Sequence, residues 1–415
     1  MRKFIVAILV MILVFCVSFG TYYLIKNDKK SNENNNPKQV AEKNEEIEKV
    51  PDDITINMTV TGDVLCHNTN FWDAYDANTD SYDFSYVFED IEKYFKNADI
   101  VVGTIETSFA GKEAGYSNYP TFNSPEELAT DLKELGYDVM AMATNHCLDK
   151  GYKGLVSTIE ELDKAGIKHI GTYKSEEDSK EILIQDVKGI KMAFLNYTYG
   201  TNGIPIPTGK EYSVNLIDKD KIKADIEKAK KLNADVICVN MHWGEEYRQT
   251  ATPEQEELAD FLFQNGVDLI LGSHTHCLEP MEKRTVTLAD GTKKDGFVIY
   301  SLGNFVSGQN ANYTRQSVIL DIQLTKKGKD NSISIDTVKY TPIYMYNIYA
   351  GKSMNRFKIM DIEEEIKKYD EGDTSIGAQL YNTLVSELDH VYKVMSMGVN
   401  GDGDFWHPLK LINKK

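Results

Sequence analysis

The sequence contains few cysteines, and none of the five belongs to a C-x-x-C pair. This excludes a zinc-finger type of structural site and the dithiol motif of thioredoxin-like enzymes. Three cysteines adjoin a histidine in the chain, namely Cys66, Cys147 and Cys277. We interpret them as packed neighbours of a site, with thiolate ligation and a disulfide left open. No internal repeat is found, which excludes a repeat architecture.

Basic residues are outnumbered, because 46 Lys and Arg stand against 64 Asp and Glu and give a formal net charge of −18. The acidic excess lies beyond residue 50, since the first fifty residues hold more basic than acidic side chains. An acidic surface repels phosphate backbones and anionic lipids, so a general affinity for nucleic acid is excluded. An anionic ligand would need a local positive centre.

The longest apolar run lies at the amino terminus, where residues 4–25 carry no charge. About 20 apolar residues cross a bilayer, so residues 1–30 are predicted to form a transmembrane signal anchor. A cleaved signal peptide is the alternative, but its apolar region would be shorter and would end at an A-x-A type of site. Arg2 and Lys3 favour a cytoplasmic amino terminus, and we therefore expect a single-pass protein of the cell membrane with its bulk extracytoplasmic.

The rest of the chain divides by composition into three parts. Residues 31–51 are polar and rich in Asn, Glu and Lys, which predicts a disordered linker. Residues 52–350 contain the regular apolar patterns of a folded domain. Residues 351–415 contain helical patterns and are predicted to form a helical extension packed on the core, with contact to a partner as the alternative.

Short apolar runs alternate with amphipathic patterns from residue 54 onward. The apolar runs predict strands at 54–62, 99–105, 138–143, 235–241 and 267–272. Helical periodicity is found between them, for example at 85–97 and 155–166. This alternation predicts an α/β fold whose strands are buried on both faces. After residue 295 three strand patterns follow without a helix, which predicts an antiparallel part of the sheet.

A polar side chain stands at the carboxyl end of each of five predicted strands. In chain order these are Asp63, Glu106, Asn145 with His146, His242, and His274 with His276. Ligands of open α/β sheets bind along this edge, so the side chains are expected to converge. Each motif alone is also typical of a turn, a helix cap or a polar loop, but the five together favour a site. Alternate residues of an extended chain point the same way, so both imidazoles of His274 and His276 are expected to approach one centre.

The predicted ligands combine imidazole, carboxylate and amide groups. This mixture suits Zn, Mn or Fe rather than a calcium cage or a structural zinc site. A carboxylate with ligands on both sides can bridge two ions, an arrangement that stabilises the attacking and leaving oxygens of phosphoryl transfer. Such cations would also supply the positive charge that the acidic chain lacks.

Six motifs follow one another in the order TGDVLCHN, GTIET, TNHCLDKG, MHWGEEY, GSHTHCLEP and YSLGNF. In order and spacing they resemble the CapA family of bacterial capsule synthesis proteins, which is linked to poly-γ-glutamate, over roughly residues 55–310. That family is itself similar to calcineurin-like metallophosphoesterases. The resemblance implies a four-layer αββα fold, in which helices flank a β-sandwich, and a site for two divalent metal ions.

The resemblance also implies roles for individual residues. The positions that bind metal in metallophosphoesterases are matched by Asp63, Glu106, Asn145, His242, His274 and His276. Glu106 stands at the place of the carboxylate that bridges the two ions. His276 would share one metal with Asp63, and the remaining three residues would hold the other. His146 matches the histidine that would protonate a leaving group.

Two positions depart from these family patterns. Metallophosphoesterases place a histidine two residues after the first Asp, where this chain has Leu65. Either one metal binds more weakly or His67 substitutes from the next turn. Thr104 stands where the CapA pattern usually has Asn, two residues before the bridging carboxylate.

Five further residues are candidates near the site. Asp149 would orient the general acid, with a helix N-terminal acid as the alternative. Glu246 and Tyr247 are expected to line the substrate cleft, although a tyrosine there is also typical of packing. Asn304 would hydrogen-bond a metal ligand or a substrate, or would form a turn. Arg315 is a candidate for gripping an anionic chain.

The sequence leaves three classes of function open. The first is a membrane-anchored component of poly-γ-glutamate capsule synthesis, export or attachment, whose partners would be an anionic polymer and other capsule synthesis proteins. The second is a metal-dependent hydrolase that acts on a phosphoester or an amide outside the membrane. The third is a non-catalytic scaffold that binds the polymer. Whether the chain is an enzyme stays open, because a fold does not fix an activity.

Overall fold

The computed structural model describes residues 51–288, 291–346 and 357–397. The predicted signal anchor at residues 1–30, and the linker up to residue 50, lie outside these described residues. Among the helices within the described ranges, none combines the length and the apolar character that a membrane span requires.

Strands dominate the described chain, and helices connect them. In chain order the strands are β1 (Ile54–Leu65), β2 (Tyr75–Asp76), β3 (Ser81–Tyr82), β4 (Ile100–Ile105), β5 (Val139–Ala141), β6 (Lys168–Ile170), β7 (Leu183–Val187), β8 (Ile190–Thr198), β9 (Val236–His242), β10 (Leu269–Ser273), β11 (Met281–Thr287), β12 (Lys293–Ile299), β13 (Asn304–Ser307), β14 (Gln316–Lys326), β15 (Ile333–Tyr346) and β16 (Lys358–Asp361). The α-helices are α1 (Asn68–Ala74), α2 (Glu127–Leu135), α3 (Gly151–Ala165), α4 (Lys219–Lys231), α5 (Pro253–Gln264), α6 (Ile362–Asp370) and α7 (Gly377–Ser396).

Two large sheets organise these elements. The first sheet has the order β16-β15-β14-β1-β4-β5-β6, with β13 also paired to β1. The second has the order β11-β12-β10-β9-β8-β7. Strands β1, β4, β5 and β6 run parallel in the first sheet, as do β8, β9, β10 and β12 in the second. The carboxyl ends of these parallel strands are where the predicted site residues lie.

Buried apolar side chains form layers around the two sheets. One cluster joins side chains of the first sheet, such as Met58 and Val102, to side chains of the second, such as Met192 and Leu271. A second cluster lies on the other face of the first sheet and includes residues of α2 and α3. A third lies on the other face of the second sheet and includes residues of α4 and α5. The mixed α/β class that the alternating pattern predicted is confirmed.

Two local predictions were wrong. Residues 85–97 form no α-helix but two short 3₁₀ turns, Ser85–Phe88 and Glu92–Tyr94. Apolar residues spaced three and four apart suit both helix types, so the pattern did not distinguish them. The region after residue 295 is antiparallel across β14, β15 and β16, but β12 lies in the second sheet and runs parallel to β10.

The described part of the carboxyl-terminal segment lies against the first sheet. It contributes the strand β16, which pairs antiparallel with β15 at the edge of that sheet. Helix α7 buries Val391, Val394 and Met395 in the cluster between the two sheets. The helix therefore rests on the same core that supports the parallel strands.

Candidate metal centre

The predicted site residues lie at the carboxyl ends of parallel strands from both sheets. Asp63 lies near the end of β1 and Glu106 directly follows β4, while Asn145 comes four residues after β5. On the second sheet, His242 is the last residue of β9 and His274 directly follows β10. All five are buried to within a few per cent of complete exclusion from solvent. The convergence expected from the strand-end rule is confirmed.

The potential metal ligands form two groups that share one carboxylate. Glu106, His242 and His274 form the first group, and Asp63, Glu106 and His276 form the second. Within each group the ligand atoms lie within 4.8 Å of one another. Glu106 Oε1 is 3.5 Å from His242 Nε2, and Glu106 Oε2 is 4.0 Å from His276 Nδ1.

Asn145 lies beside the first group, because its Oδ1 is 2.8 Å from His242 Nε2. Each predicted strand end therefore contributes at least one polar atom to this cluster. The division between the two groups is the one that the family resemblance implied. The role of each residue as a ligand stays a prediction.

Several polar atoms of these groups are buried without a hydrogen-bond partner. They are Asp63 Oδ1, both carboxylate oxygens of Glu106, and His274 Nδ1. Buried polar atoms in folded proteins nearly always have a partner, and leaving one unpaired costs free energy. Carboxylate oxygens and imidazole nitrogens that converge in this way are the donor set of Zn, Mn and Fe sites. The residues therefore fit a divalent cation.

Burial shifts the pKa of every titratable group in the centre toward its neutral form. It raises the pKa of Asp63, with a further rise from the charge of Glu106, and it also raises the pKa of Glu106. Burial lowers the pKa of His242 and His274, and lowers that of His276 to about 3. The imidazoles are therefore neutral at physiological pH, which is the form that binds metal.

Two neutral side chains orient the histidine rings. Ser273 Oγ lies 2.8 Å from Nδ1 of His242, and Asn304 Oδ1 lies 3.1 Å from Nδ1 of His276. Contacts of this kind fix the orientation of metal-binding imidazoles. The amide nitrogen of Asn304 donates to Gln309 Oε1 and to the carbonyl of Thr314, both at 3.0 Å. Asn304 therefore lies against a predicted metal ligand, which is one of the roles predicted for it.

The backbone of the H-x-H segment differs from the expected extended chain. His274 and His276 have φ angles of +99° and +61°, a region that residues other than glycine seldom adopt. The strand has already ended at Ser273, so alternation does not set the direction of the rings. The backbone N–H of His274 donates to Asp63 Oδ2 at 3.0 Å, which ties this turn to β1. Strained backbone of this kind is often found at functional sites.

A glycine lets β10 lie very close to a neighbouring segment of the backbone, just before this turn. A Cβ on Gly272 would lie 1.8 Å from the carbonyl oxygen of Tyr300, which is backbone and cannot move aside. On the opposite sheet, a Cβ on Gly62 would lie 1.9 Å from the carbonyl oxygen of Gly303. The glycines that precede Asp63 and the H-x-H segment therefore let both strands lie against the same segment, residues 300–303.

His146 forms a pair with Asp149 at the edge of the centre. His146 Nδ1 is 2.7 Å from Asp149 Oδ2, and the same oxygen accepts a hydrogen bond from the backbone N–H of Phe122 at 2.7 Å. Burial lowers the pKa of His146, but the bond to Asp149 and the charge of Glu106 outweigh it and leave the pKa raised. The arrangement fits the predicted orienting role of Asp149.

His67 lies outside both ligand groups. Its Nδ1 is 2.9 Å from the carbonyl oxygen of Leu65 and 3.0 Å from the backbone nitrogen of Gly308. Burial lowers its pKa to about 4. Phe122 separates the two imidazoles of this region, with its ring centroid 5.1 Å from that of His67 and 4.8 Å from that of His146. The substitution of His67 for the missing metal ligand therefore stays a prediction from sequence.

The predicted substrate-binding residues lie at different distances from the groups. Tyr247 is half exposed, and its ring is 5.9 Å from that of His276. Glu246 is exposed, and its charge contributes to raising the pKa of His146. Arg315 instead contacts the side chain of Asn310 in its own loop, between β13 and β14. Glu246 and Tyr247 border the centre, whereas Arg315 belongs to its surroundings.

Two residues that follow β8 lie beside the centre and were not predicted from the sequence. Tyr199 is half exposed and its ring lies 4.5 Å from that of His274. Asn202 accepts a hydrogen bond from the Asn145 amide at 3.2 Å, and its own amide nitrogen lies 3.4 Å from His146 Nε2. The signal that could have found them is the segment TYGTNG, which follows a parallel strand just as the other five motifs do.

The cysteines beside the site residues are buried and unpaired. Cys66, Cys147, Cys238 and Cys277 are all free thiols. Burial raises the pKa of Cys66, Cys147 and Cys277 to about 12 in each case, which disfavours the thiolate. Neither of the two ligand groups contains a cysteine. These properties agree with packed side chains.

Residues 57–309 match the family model described as bacterial capsule synthesis protein PGA_cap. That range is more than half of the chain. The chain belongs to this family. The family relationship that the six motifs predicted is confirmed, and the matched range contains all of the predicted site residues except Arg315.

Two curated relatives of this capsule synthesis family member are named CapA. The chain is 31% identical over 284 residues to "Capsule biosynthesis protein CapA" of Bacillus anthracis, an alignment that covers 66% of this chain and 65% of that protein. It is 30% identical over 256 residues to "PGA biosynthesis protein CapA" of Bacillus subtilis, covering 58% of this chain and 62% of the relative. The matched part thus spans less than two thirds of either relative.

Solved structures that resemble this family member include a calcineurin-like phosphoesterase. The protein YfkN of Bacillus subtilis matches with a TM-score of 0.42 and is 16% identical to this chain. The alignment covers 81% of this chain and 99% of the YfkN chain.

Proposed function

We propose that the chain is a divalent-metal-dependent component of the synthesis, export or attachment of an anionic capsule polymer such as poly-γ-glutamate. Membership of the capsule synthesis family supports the biological role. The single observation that carries the metal dependence is the pair of buried ligand groups around Glu106, whose carboxylate oxygens have no hydrogen-bond partner. The layered arrangement of helices and sheets supports a metallophosphoesterase-like sandwich with two metal ions.

The proposed centre would contribute positive charge to a chain in which acidic side chains outnumber basic ones. Bound divalent cations would polarise an oxygen of the substrate and stabilise negative charge that develops on it. Asp63 and His276 would hold one cation. Asn145, His242 and His274 would hold the other, and Glu106 would contact both. An anionic polymer would be attracted to this point despite the formal net charge of −18.

The pair of His146 and Asp149 favours a bond-breaking step at this site, which makes a metal-dependent hydrolase the second candidate function. Asp149 accepts from Nδ1 of His146, so the proton that the raised pKa retains is carried by Nε2. An imidazolium in this position can donate that proton to a departing oxygen or nitrogen. The bond to be broken would be a phosphoester or an amide, the latter being the linkage of poly-γ-glutamate.

We also propose that residues 1–30 anchor the chain in the cell membrane and that the folded part lies outside the cytoplasm. The uncharged run at residues 4–25 supports the anchor, and Arg2 and Lys3 support the orientation. Fractionation of cells that express the full chain, or a form lacking residues 1–30, tests the anchor. Recovery of both forms in the soluble fraction would contradict it.

The metal dependence is tested on the full chain purified in detergent. We expect near-stoichiometric transition metal by elemental analysis in the wild type, and loss of metal in His276→Ala. His169→Ala is the matched control, because this histidine lies on β6 and pairs with Asp163 rather than with the centre. An absence of bound transition metal from the wild type would refute the proposed centre.

A hydrolysis assay separates the two candidate functions. Bis(p-nitrophenyl) phosphate and poly-γ-glutamate serve as substrates for the wild type and for His146→Ala. Hydrolysis of either substrate that falls in the variant supports the hydrolase. Metal binding without turnover of either substrate would instead favour a polymer-binding scaffold.

A further inference from the structure

Two loops border the His276 side of the centre. The first, residues 243–252, follows β9 and contains Tyr247, whose backbone N–H donates to the carbonyl of Thr275 at 2.7 Å. The second, residues 308–315, lies between β13 and β14 and contains Thr314, whose carbonyl accepts from the Asn304 amide. Asn304 in turn faces His276. Both loops therefore contact the segment that carries this predicted ligand.

The side chain of His390, on helix α7, contacts both loops. Nε2 of His390 is 3.0 Å from Oε1 of Gln249 in the 243–252 loop. The His390 ring stacks on Tyr313 of the 308–315 loop, with centroids 3.8 Å apart and an angle of 14° between the planes. Its Nδ1 also contacts the side-chain amide of Gln316, at the start of β14. A single imidazole thus links two loops that are distant in sequence.

The helix that presents His390 is packed on the core. Val391, Val394 and Met395 are buried in the core between the sheets, and Leu384 and Leu388 are buried against α6 and β15. A buried apolar face of this kind holds a helix in place. The backbone position of His390 is therefore supported by the packing of the helix on the core.

The loops contain backbone that needs such support. Tyr247 and Tyr313 have φ angles of +66° and +65°, one in each loop, and neither residue is a glycine. This left-handed conformation is unfavourable for bulky residues and persists where surrounding contacts impose it. The stacked ring contacts Tyr313 directly, and the bond to Gln249 lies two residues from Tyr247.

We propose that His390 is a positioning residue, which holds the 243–252 and 308–315 loops in their positions. It thereby fixes the His276 side of the centre and the edge of the centre that faces the substrate. The effect of His390 on metal binding and catalysis rests on the proposed metal-dependent function, whereas its contacts with the two loops do not depend on that function. This positioning role connects the described carboxyl-terminal helix, which lies beyond the residues of the family match, to the site.

Hydrogen exchange tests the loop contacts independently of metal and activity. In His390→Ala we expect about tenfold faster exchange of the Tyr247 and Thr314 amides, because each loop loses its contact with the helix. Exchange within α4 should not change. Ser386→Ala, an exposed position one turn earlier on α7, is the matched control. Unchanged exchange of both loop amides in His390→Ala would overturn the inference.

Metal binding and kinetics then test the consequence for the site. We expect His390→Ala to bind Mn²⁺ about tenfold more weakly and to raise KM for the phosphodiester more than it lowers kcat, because outer contacts tune metal affinity. His390→Gln supplies a side-chain amide that can still bond to Gln249, and it should recover part of the lost Mn²⁺ affinity. Wild-type affinity and kinetics in His390→Ala would overturn the proposal. A wild type that binds no Mn²⁺ would refute the proposed function, while the exchange data still decide the loop contacts.

Discussion

At the scale of single residues, Glu106 has the most demanding environment. It belongs to both ligand groups, and both of its carboxylate oxygens are buried without a hydrogen-bond partner. Asp63 lies close enough that its own pKa is raised by burial and by the charge of Glu106. Without a cation, such a pair destabilises the fold. The arrangement is understandable if stability is given up for a binding function.

We expect Glu106→Gln to stabilise the metal-free chain and to abolish cation binding. The pKa of a Glu in an unfolded chain is about 4.3, whereas the pKa of Glu106 in the folded chain is raised. Between these two pKa values the folded state therefore holds more protons than the unfolded state. The stability of the wild type therefore falls as pH rises through this window, and the variant escapes the loss. Urea unfolding of metal-free protein should show a gain of about 2 kcal/mol at pH 8 that is absent below pH 4. Glu160→Gln on α3 is the exposed control, and a wild-type pH dependence in Glu106→Gln would contradict this reasoning.

The second residue-scale prediction concerns the proton on His146. Asp149 raises the pKa of this imidazole, so Asp149→Asn should lower it. If the protonated form is required for turnover, the fall in activity at high pH should begin at a lower pH in the variant. A pH-rate profile and an NMR titration of the His146 ring measure the two effects separately. Identical titration of the ring in both proteins would exclude the orienting role of Asp149.

At the scale of elements, β10 and β1 each lie in close backbone contact with the segment between β12 and β13, at Tyr300 and at Gly303 respectively. Gly272→Ala would place a methyl group 1.8 Å from the Tyr300 carbonyl oxygen, and the strand would have to move. We expect a loss of about 3 kcal/mol in urea unfolding, together with weaker metal binding because His274 and His276 follow this glycine. Gly200→Ala has no atom within 4 Å of the added methyl group and should be neutral. Equal stability of the two variants would refute the close-contact argument.

The sequence predicted the elements of the site better than its local geometry. Strand patterns place Asp63, Glu106 and His242 at carboxyl ends, because a period-two or continuous apolar run and its polar end are local features. The left-handed backbone of His274 and His276 was not predictable, because it depends on contact with β1 across the molecule. Asn202 was missed although its segment also follows a parallel strand, and its contact with Asn145 is a property of the fold that the segment alone does not contain.

The element assignments failed where local patterns were ambiguous or incomplete. The segment at 85–97 has helical spacing but folds as two 3₁₀ turns, with Phe88 stacked on Phe305 of β13 at 5.9 Å. The strand pattern at β12 was predicted correctly as a strand but assigned to the wrong neighbours. Its pairing with β10 and β11 is a long-range property that no local pattern contains.

At the scale of the whole molecule, metal binding should appear as a change in global stability. A ligand that binds only the folded state stabilises it by about 2.7 kcal/mol when its concentration is a hundred times Kd. We expect Mn²⁺ to raise the Tm of the full chain by several degrees and a chelator to reverse the change. His276→Ala should show no such response, whereas His169→Ala should respond like the wild type. A metal response in His276→Ala equal to that of the wild type would argue against the second ligand group.

The ligands come from both sheets, and this constrains when the chain can acquire a metal. Asp63 and His274, which a hydrogen bond joins, are 211 residues apart in sequence. The proposed centre cannot assemble until strands from both halves of the chain have paired and docked. Loading would therefore follow folding, and the ion would be drawn from whichever compartment the chain folds in. With the folded part outside the cytoplasm, as we propose, the metal supply of the cell's surroundings would decide which ion the site contains.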